Sequence, residues 1–516
     1  MKSIKSVLKA GACGWISVAL AAGAAPLAAA PPALSPASSA EFQKLLSIQV
    51  GKRAVHFNEY KMPTTPETTY QRLFAWNEVA LDTTAIDHTP PPPGATYIFG
   101  QQFGPTRASR AMAIIHIAMF EAVNAYYQQF KSYVGLAPVY GDVSVDYAIA
   151  QASHDTQVWL YPSQQPRLDG ILAADVATMT GDAAGLAAGQ ALGKAAAAAI
   201  IALRTNDGSQ VPEPTVGVNY FPKVGPGYWS PDPVSNIQTA LGAYWGQVKP
   251  FVLTSGSQFR PPPPPALGSD LYTLAYYQVE AIGGDPSHGT PSFRSAQQTM
   301  QGIFWTYDGV PNICAPPRMY NQLARTLAFQ QGLPNVEAAA RYLAIFNTTM
   351  ADAAIASWDA KYYYQFWRPV TGIRYTGNQG NNYLKPNPTW YPLGGQATNT
   401  TNPNFTPPFP SYPSGHATFG GGIFEVLRSY FPDKTPFTFV SDEFNGQNYS
   451  DTGKLQPLEP VNYASLSAAE YDNLESRIWI GVHWQFDGDV GDAVGRNVGD
   501  WVLSHAFQPV QQRAEK

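Results

Sequence analysis

Three short stretches gather side chains that could handle an oxyanion. The first is Lys361-YYYQFW-Arg368-Pro369. Seven residues are close to two helical turns, so the spacing predicts both cations on one helical face, with Trp358 a turn earlier on nearly the same face. Pro369 should end that helix or begin its exit. Taken alone, the two cations read better as a solvated pair, or as partners of distant carboxylates. The second stretch is Phe409-Pro-Ser-Tyr-Pro413-Ser414-Gly415-His416. Pro413 could start a helix whose free amides face an anion. Ser414 adds a hydroxyl, Gly415 permits close backbone approach, and His416 can exchange a proton near neutral pH. A helix cap followed by a chance histidine would read the same way. The third is Ser476-Arg477-IWIGV-His483-WQF-Asp487. Arg477 offers several fixed donors to an oxyanion. On one ideal helix Arg477 and His483 would point about 120° apart, so a break near Gly481 is expected. Asp487, one turn after His483, could orient the other ring nitrogen, as could a backbone carbonyl. Taken alone, Asp487 reads somewhat better as an ordinary cap or surface residue, and Asp489 and Asp492 read as solvated.

Together the stretches supply three permanent cations, a hydroxyl, a glycine amide and two histidines. The cations can neutralise a tetrahedral anion of high charge. One histidine could bond its central atom while the other moves protons. The set does not suit a bare divalent cation, which the positive shell would repel.

Helices must position these groups. Apolar periodicity and caps predict helices at 61–83, 105–127, 143–160, 171–203, 269–283, 293–304, 317–332, 336–365, 413–430, 466–480 and 484–507. Alternating strand patterns are scarce. The fold class is therefore mainly α, a large helical bundle with long Pro- and Gly-rich loops. The expected division is an N-terminal helical half at 31–250 and a C-terminal half at 251–510 carrying the oxyanion site. His116 sits in an apolar stripe and reads as a core histidine. The proline run 261–265 should form an extended rod, either a channel wall or a spacer, and the PPPPG stretch at 90–94 a stiff surface linker.

Charged residues make up only 13% of 516, and the formal net charge is −5. Neither a disordered chain nor a nucleic-acid-coating one fits that balance, so an anion site must be local. Residues 1–30 read as a signal peptide: Lys2, Lys5 and Lys9 precede an Ala-rich apolar stretch with small residues at cleavage positions. Export, periplasmic or secreted, is the expected address. No later apolar run reads as long enough to span a membrane, and no stable membrane insertion is expected. Beyond that leader Cys314 stands alone, which excludes an intramolecular disulfide and leaves packing as its expected role.

The order Lys-x6-Arg-Pro, Pro-Ser-Gly-His, Ser-Arg-x5-His resembles the vanadium-dependent haloperoxidases, chloroperoxidase-like, within the wider superfamily of type 2 phosphatidic acid phosphatases and bacterial acid phosphatases. The likeness extends over much of 104–505, including FRPPPPPAL and FWTYDGVPNICAPPRMYNQLA. It implies vanadate, without haem or flavin, as cofactor. His483 would be the axial vanadium ligand, and Lys361, Arg368, Ser414, Gly415 and Arg477 would hold the oxygens. His416 would be the acid–base group, and Lys361 would also polarise hydrogen peroxide for halide attack. Trp358 and Phe409 match the residue types of fungal chloroperoxidases near the halide approach and lean toward chloride over bromide. Asp308 resembles an aspartate paired with the arginine that Arg477 matches. The implied partners are hydrogen peroxide, halide and a small organic acceptor; oligomeric state stays open. Phosphomonoester hydrolysis is the alternative, with His483 attacking phosphorus to give a phosphohistidine and His416 protonating the leaving oxygen. A non-enzymatic anion binder would explain the cations but not two placed histidines.

Overall fold

The computed structural model describes residues 60–65 and 67–510, so the expected leader at 1–30 lies outside the described residues. The architecture is mainly helical. In chain order the helices are α1 Thr69–Asp87, α2 Gly104–Tyr127, α3 Val145–Leu160, α4 Gln165–Val176, α5 Ala183–Arg204, α6 Asp270–Ile282, α7 Ala296–Phe304, α8 Pro316–Gln331, α9 Val336–Tyr364, α10 Pro369–Arg374 and α11 Gly415–Tyr430. A two-stranded antiparallel ribbon follows, β1 Phe437–Phe439 paired with β2 Val461–Tyr463. Helices α12 Leu466–Trp479 and α13 Gln485–His505 complete the order.

Local chemistry sets these bounds. Thr68 caps α1 in a reciprocal box with Gln71, so the helix starts later than the expected residue 61. The single helix expected at 171–203 is two helices. Gly181 takes φ +136 between them, and Asp182 then caps α5 through the Gly185 amide. Helix α9 ends at Tyr364, with Gln365 left-handed at its C-cap. This corrects the expectation that Lys361 and Arg368 share a helical face. Lys361 lies in the last turn of α9, whereas Arg368 is the extended N-cap of α10 beyond a chain reversal.

The larger core joins helices on both sides of residue 250, with Ile114, Ile117 and Phe120 of α2 alongside Leu343, Phe346 and Ile355 of α9. A second cluster gathers Tyr272, Trp367, Trp390, Tyr412, Trp484 and Phe486. His116 is buried in α2, bonded to Asn77 and to the Met112 carbonyl. Cys314 is buried as well. Among the described helices α5 is long and apolar enough to cross a membrane, which corrects the sequence reading of no such run after the leader. Its buried side packs on α3, where a Cβ at Gly189 would lie 2.2 Å from the Ser144 carbonyl oxygen.

Helices α11 and α13 also approach at backbone distance. A Cβ on Gly495 would fall 2.1 Å from the Thr418 carbonyl oxygen, and one on Gly421 2.2 Å from that of Asp492. Glycine at this crossing lets the amide end of α11 meet the start of α13. The proline run 261–265 is behind that junction: the Tyr364 and Tyr412 hydroxyls donate to the Pro261 and Pro262 carbonyls. It lines no part of the cavity described below and serves as a buttress rather than a channel wall.

Candidate oxyanion site

A cavity of about 330 Å³ opens over the junction of α11 and α13. Asp308, Gly415, His416, Arg477 and His483 line it at that end. Apolar walls come from Phe103, Leu241, Val310, Phe405, Pro408 and Phe419, among others. Lys361, Arg368 and Ser414 are fully or almost fully buried behind that floor.

The break expected near Gly481 is present. Helix α12 stops at Trp479, and Gly481 takes φ +77 before α13 begins. A Cβ on Gly481 would lie 2.5 Å from the Gly283 carbonyl oxygen, so both backbone sign and space call for glycine. This turn brings Arg477 and His483 to the same cavity.

His483 Nδ1 is 2.9 Å from Asp487 Oδ2 and 3.3 Å from Ser411 Oγ. Asp487 Oδ2 also accepts the Trp484 amide and the Ser411 hydroxyl. With the carboxylate at Nδ1, that nitrogen carries the proton and Nε2 presents its lone pair. Burial, then the charges of Arg368, Lys361 and Arg477, hold His483 well below its ordinary range, so the ring is neutral. Burial pushes Asp487 up to about 7, against the Ser411 hydroxyl, the Trp484 amide and the two nearest cations.

The three cations are held differently. Arg368 donates to the carbonyls of Phe409 and Val482, and its Nη1 lies 2.9 Å from His483 Nε2. Burial lowers it to about 9. Lys361 gives its three protons to the carbonyls of Pro410, Ser411 and Pro413, beneath the turn into α11. Burial and the Arg368 charge push it well below its usual value. Phe409 covers both cations, 5.1 Å from the Lys361 ammonium and 5.0 Å from the Arg368 guanidinium, with Trp358 tilted against it. Arg477 pairs through Nη2 with both Asp308 oxygens, at 3.0 and 2.9 Å. Its Nε and Nη1 are buried without a partner, as is Asp487 Oδ1.

Ser414 caps α11 through the Ala417 amide. Gly415 and His416 therefore stand at the amide end of that helix, where free N–H groups favour an anion. A Cβ on Gly415 would come within 3.1 Å of the Trp358 ring. His416 Nε2 lies 2.7 Å from the Thr306 carbonyl oxygen and 4.0 Å from Asp308 Oδ1. A carbonyl only accepts, so Nε2 bears the proton and Nδ1 is the basic nitrogen. Burial and the Arg477 charge keep His416 well below its usual range.

All eleven residues singled out in the sequence thus fall at this site, although Lys361 is engaged with carbonyls rather than facing the cavity. Sequence reasoning missed the cavity walls other than Trp358 and Phe409, and it missed Ser411, which touches both His483 and Asp487. Ser411 lies within the FPSYPSGH stretch, so its position inside a motif-dense segment was the available signal. Among the described residues, no group of three or more His, Cys, Asp and Glu side chains could hold a metal ion.

Residues 341–512 match the family described as VCPO second helical-bundle domain. The vanadium chloroperoxidase of Curvularia inaequalis is 36% identical over 262 residues, 43% of this chain and 42% of that protein. The match thus spans less than half of the curated relative's length. The structure of the first bacterial vanadium-dependent iodoperoxidase superposes with TM-score 0.67 at 22% identity, over 88% of this chain and 100% of that one. An apo-type bacterial vanadium-dependent chloroperoxidase gives 0.58 at 17%, over 82% and 97%. Residues 341–512 are therefore similar to the second helical bundle of that family, and the chain as a whole shares the mainly helical, multi-helix bundle fold of these structures.

Proposed function

We propose that this protein is a vanadate-dependent haloperoxidase that oxidises chloride or bromide with hydrogen peroxide to hypohalous acid. One observation carries the reading. Two buried donor nitrogens of Arg477, Nε and Nη1, have no partner, at a cavity floor shared with the neutral His483. Each unsatisfied buried donor costs about 1–3 kcal/mol. An oxyanion would supply acceptors there and offset the mutual repulsion of Lys361, Arg368 and Arg477.

The donor set fits vanadate. His483 would be its ligand through Nε2, and Arg368, Arg477, Ser414, the Gly415 amide and Lys361 would hold its oxygens. Lys361 would exchange one of its carbonyl partners for the anion. Bound there, vanadate supplies the activation of hydrogen peroxide toward attack by halide. The chain's own groups do the rest. Asp487 and Ser411 orient the His483 ring, and Asp308 holds Arg477 in place. His416 takes or returns a proton at Nδ1. The apolar walls and the Trp358–Phe409 pair exclude water, which strengthens the charged contacts. The cavity leaves room for a small organic acceptor of the halogen. The basic start and apolar stretch of residues 1–30 support export as the proposed address.

The comparisons lend no specific support to the phosphatase alternative. Metal-free protein should be assayed with peroxide and chloride or bromide, before and after adding vanadate, with phosphomonoester hydrolysis in parallel. Vanadate-restored halogenation is the expected result. No halogenation, together with a phosphatase activity that vanadate inhibits, would overturn the proposal.

A further inference from the structure

We propose that Glu443 is a positioning residue that fixes the tautomer of His416 by clamping the Thr306 segment as an uncharged carboxylic acid. The proposal rests on the reading of His416 as the proton-transfer group.

Glu443 is fully buried in a short turn, Asp442–Phe444. Among the described residues no basic side chain forms an ion pair with it. Its two oxygens instead meet two hydroxyls, Thr306 Oγ1 and Thr398 Oγ1, each at 2.6 Å. Thr306 Oγ1 is also 2.9 Å from the Ile303 carbonyl oxygen. A hydroxyl has one proton, and a carbonyl can only accept. Both Thr306 contacts are satisfied when Thr306 gives its proton to Ile303 and Glu443 gives a carboxyl proton to Thr306. Thr398 then donates to the second carboxyl oxygen. Burial raises Glu443 to about 7 against these hydroxyls and the Tyr307 amide, so the proton is retained below that pH.

The clamp has a clear destination. The Thr306 carbonyl accepts the His416 Nε2 proton, which leaves Nδ1 as the base. Two residues on, Asp308 grips Arg477 through both oxygens. Thr398 stands beside Ala397 and Thr400, which line the same cavity. One neutral carboxyl therefore ties together the segment that orients His416, the one that holds Arg477, and part of the wall.

The test is nitrogen NMR of histidine-labelled protein without cofactor, followed by steady-state kinetics of the vanadate-loaded enzyme. Wild-type His416 should show a protonated Nε2 and a lone-pair Nδ1. Glu443→Ala and Thr306→Val should give mixed tautomers. Both should lose about tenfold or more in kcat with little change in KM. Glu443→Gln should restore the wild-type pattern and most of kcat, because its amide donates to Thr306 and accepts from Thr398. An unchanged His416 signal in Glu443→Ala and Thr306→Val would overturn the proposal. So would a Glu443→Gln variant as impaired as Glu443→Ala. Thr306→Val keeps the backbone carbonyl, so it decides alone should Glu443→Ala fail to fold. Failure of the wild type to oxidise halide would remove the proposed function and leave the NMR result intact.

Discussion

Arg477 shows most directly what the site lacks from within the chain. One side of its guanidinium is paired with Asp308, and the other has donors and no acceptor. His483 and His416 flank that edge of Arg477 in different ways. His483 is locked from behind by Asp487 and Ser411 and carries its lone pair on Nε2, where Arg368 now donates, while His416 is held at Nε2 and offers Nδ1. Removing each should therefore have a distinct effect. His483→Ala should weaken vanadate binding by at least about tenfold, read by equilibrium titration, since it would delete the proposed central ligand; full affinity and turnover would contradict the assignment. His416→Ala should keep vanadate binding and lose about a hundredfold in turnover, and normal turnover would remove it from acid–base work. The cations and histidines were legible in the sequence only as a set, because each stretch taken alone has an ordinary reading and the three together do not. Ser411 and Glu443 were not. Serine and glutamate are common, and their roles appear only through contacts 76 and 137 residues away in the chain.

The elements matter through where they stop and how closely they cross. Gly481 breaks α12 from α13 in a conformation that penalises any Cβ, and Gly495 brings α13 onto the backbone of α11. Gly481→Ala and Gly495→Ala should each cost about 2 kcal/mol or more and lower the melting temperature by several degrees. Gly289→Ala makes a fair comparison. It has φ +76 but open space around a Cβ, so it bears only backbone strain, about 1 kcal/mol. Equal melting temperatures for all three variants would show that the close crossing is not rigid. Most helices were legible because apolar periodicity and Ser, Thr or Asp caps agree. The division between α4 and α5 was hidden because alanine-rich sequence resumes on both sides of the short Thr178-Met-Thr-Gly-Asp182 break. The end of α9 was legible to within a residue, but the chain reversal after it was hidden, because Gln365, unlike glycine, carries no sequence mark of a left-handed cap.

Across the whole molecule, buried titratable groups pull stability in opposite directions with pH. Burial raises Asp87 and Glu443 to about 7. Their contributions are present below the unfolded carboxyl pKa and are lost as pH rises through about 7. Burial lowers His88 and His116 to about 4, so their contributions grow as pH rises from about 4 to the ordinary histidine value. Glu443→Gln cannot ionise, so its stability relative to wild type should increase by a few kcal/mol between pH 4.5 and 7.5, at about 1.4 kcal/mol per pKa unit. Denaturant unfolding at several pH values would check this, and parallel curves for the two proteins would refute it. The largest scale also carries the central claim, that a low-charge helical body buries three cations in order to hold one oxyanion. The direct measurement is the stoichiometry of vanadate binding to metal-free wild type and to His483→Ala. One saturable vanadate per wild-type chain, with the variant strongly weakened, is the predicted result. No saturable binding, or binding that ignores the loss of His483, would contradict the account.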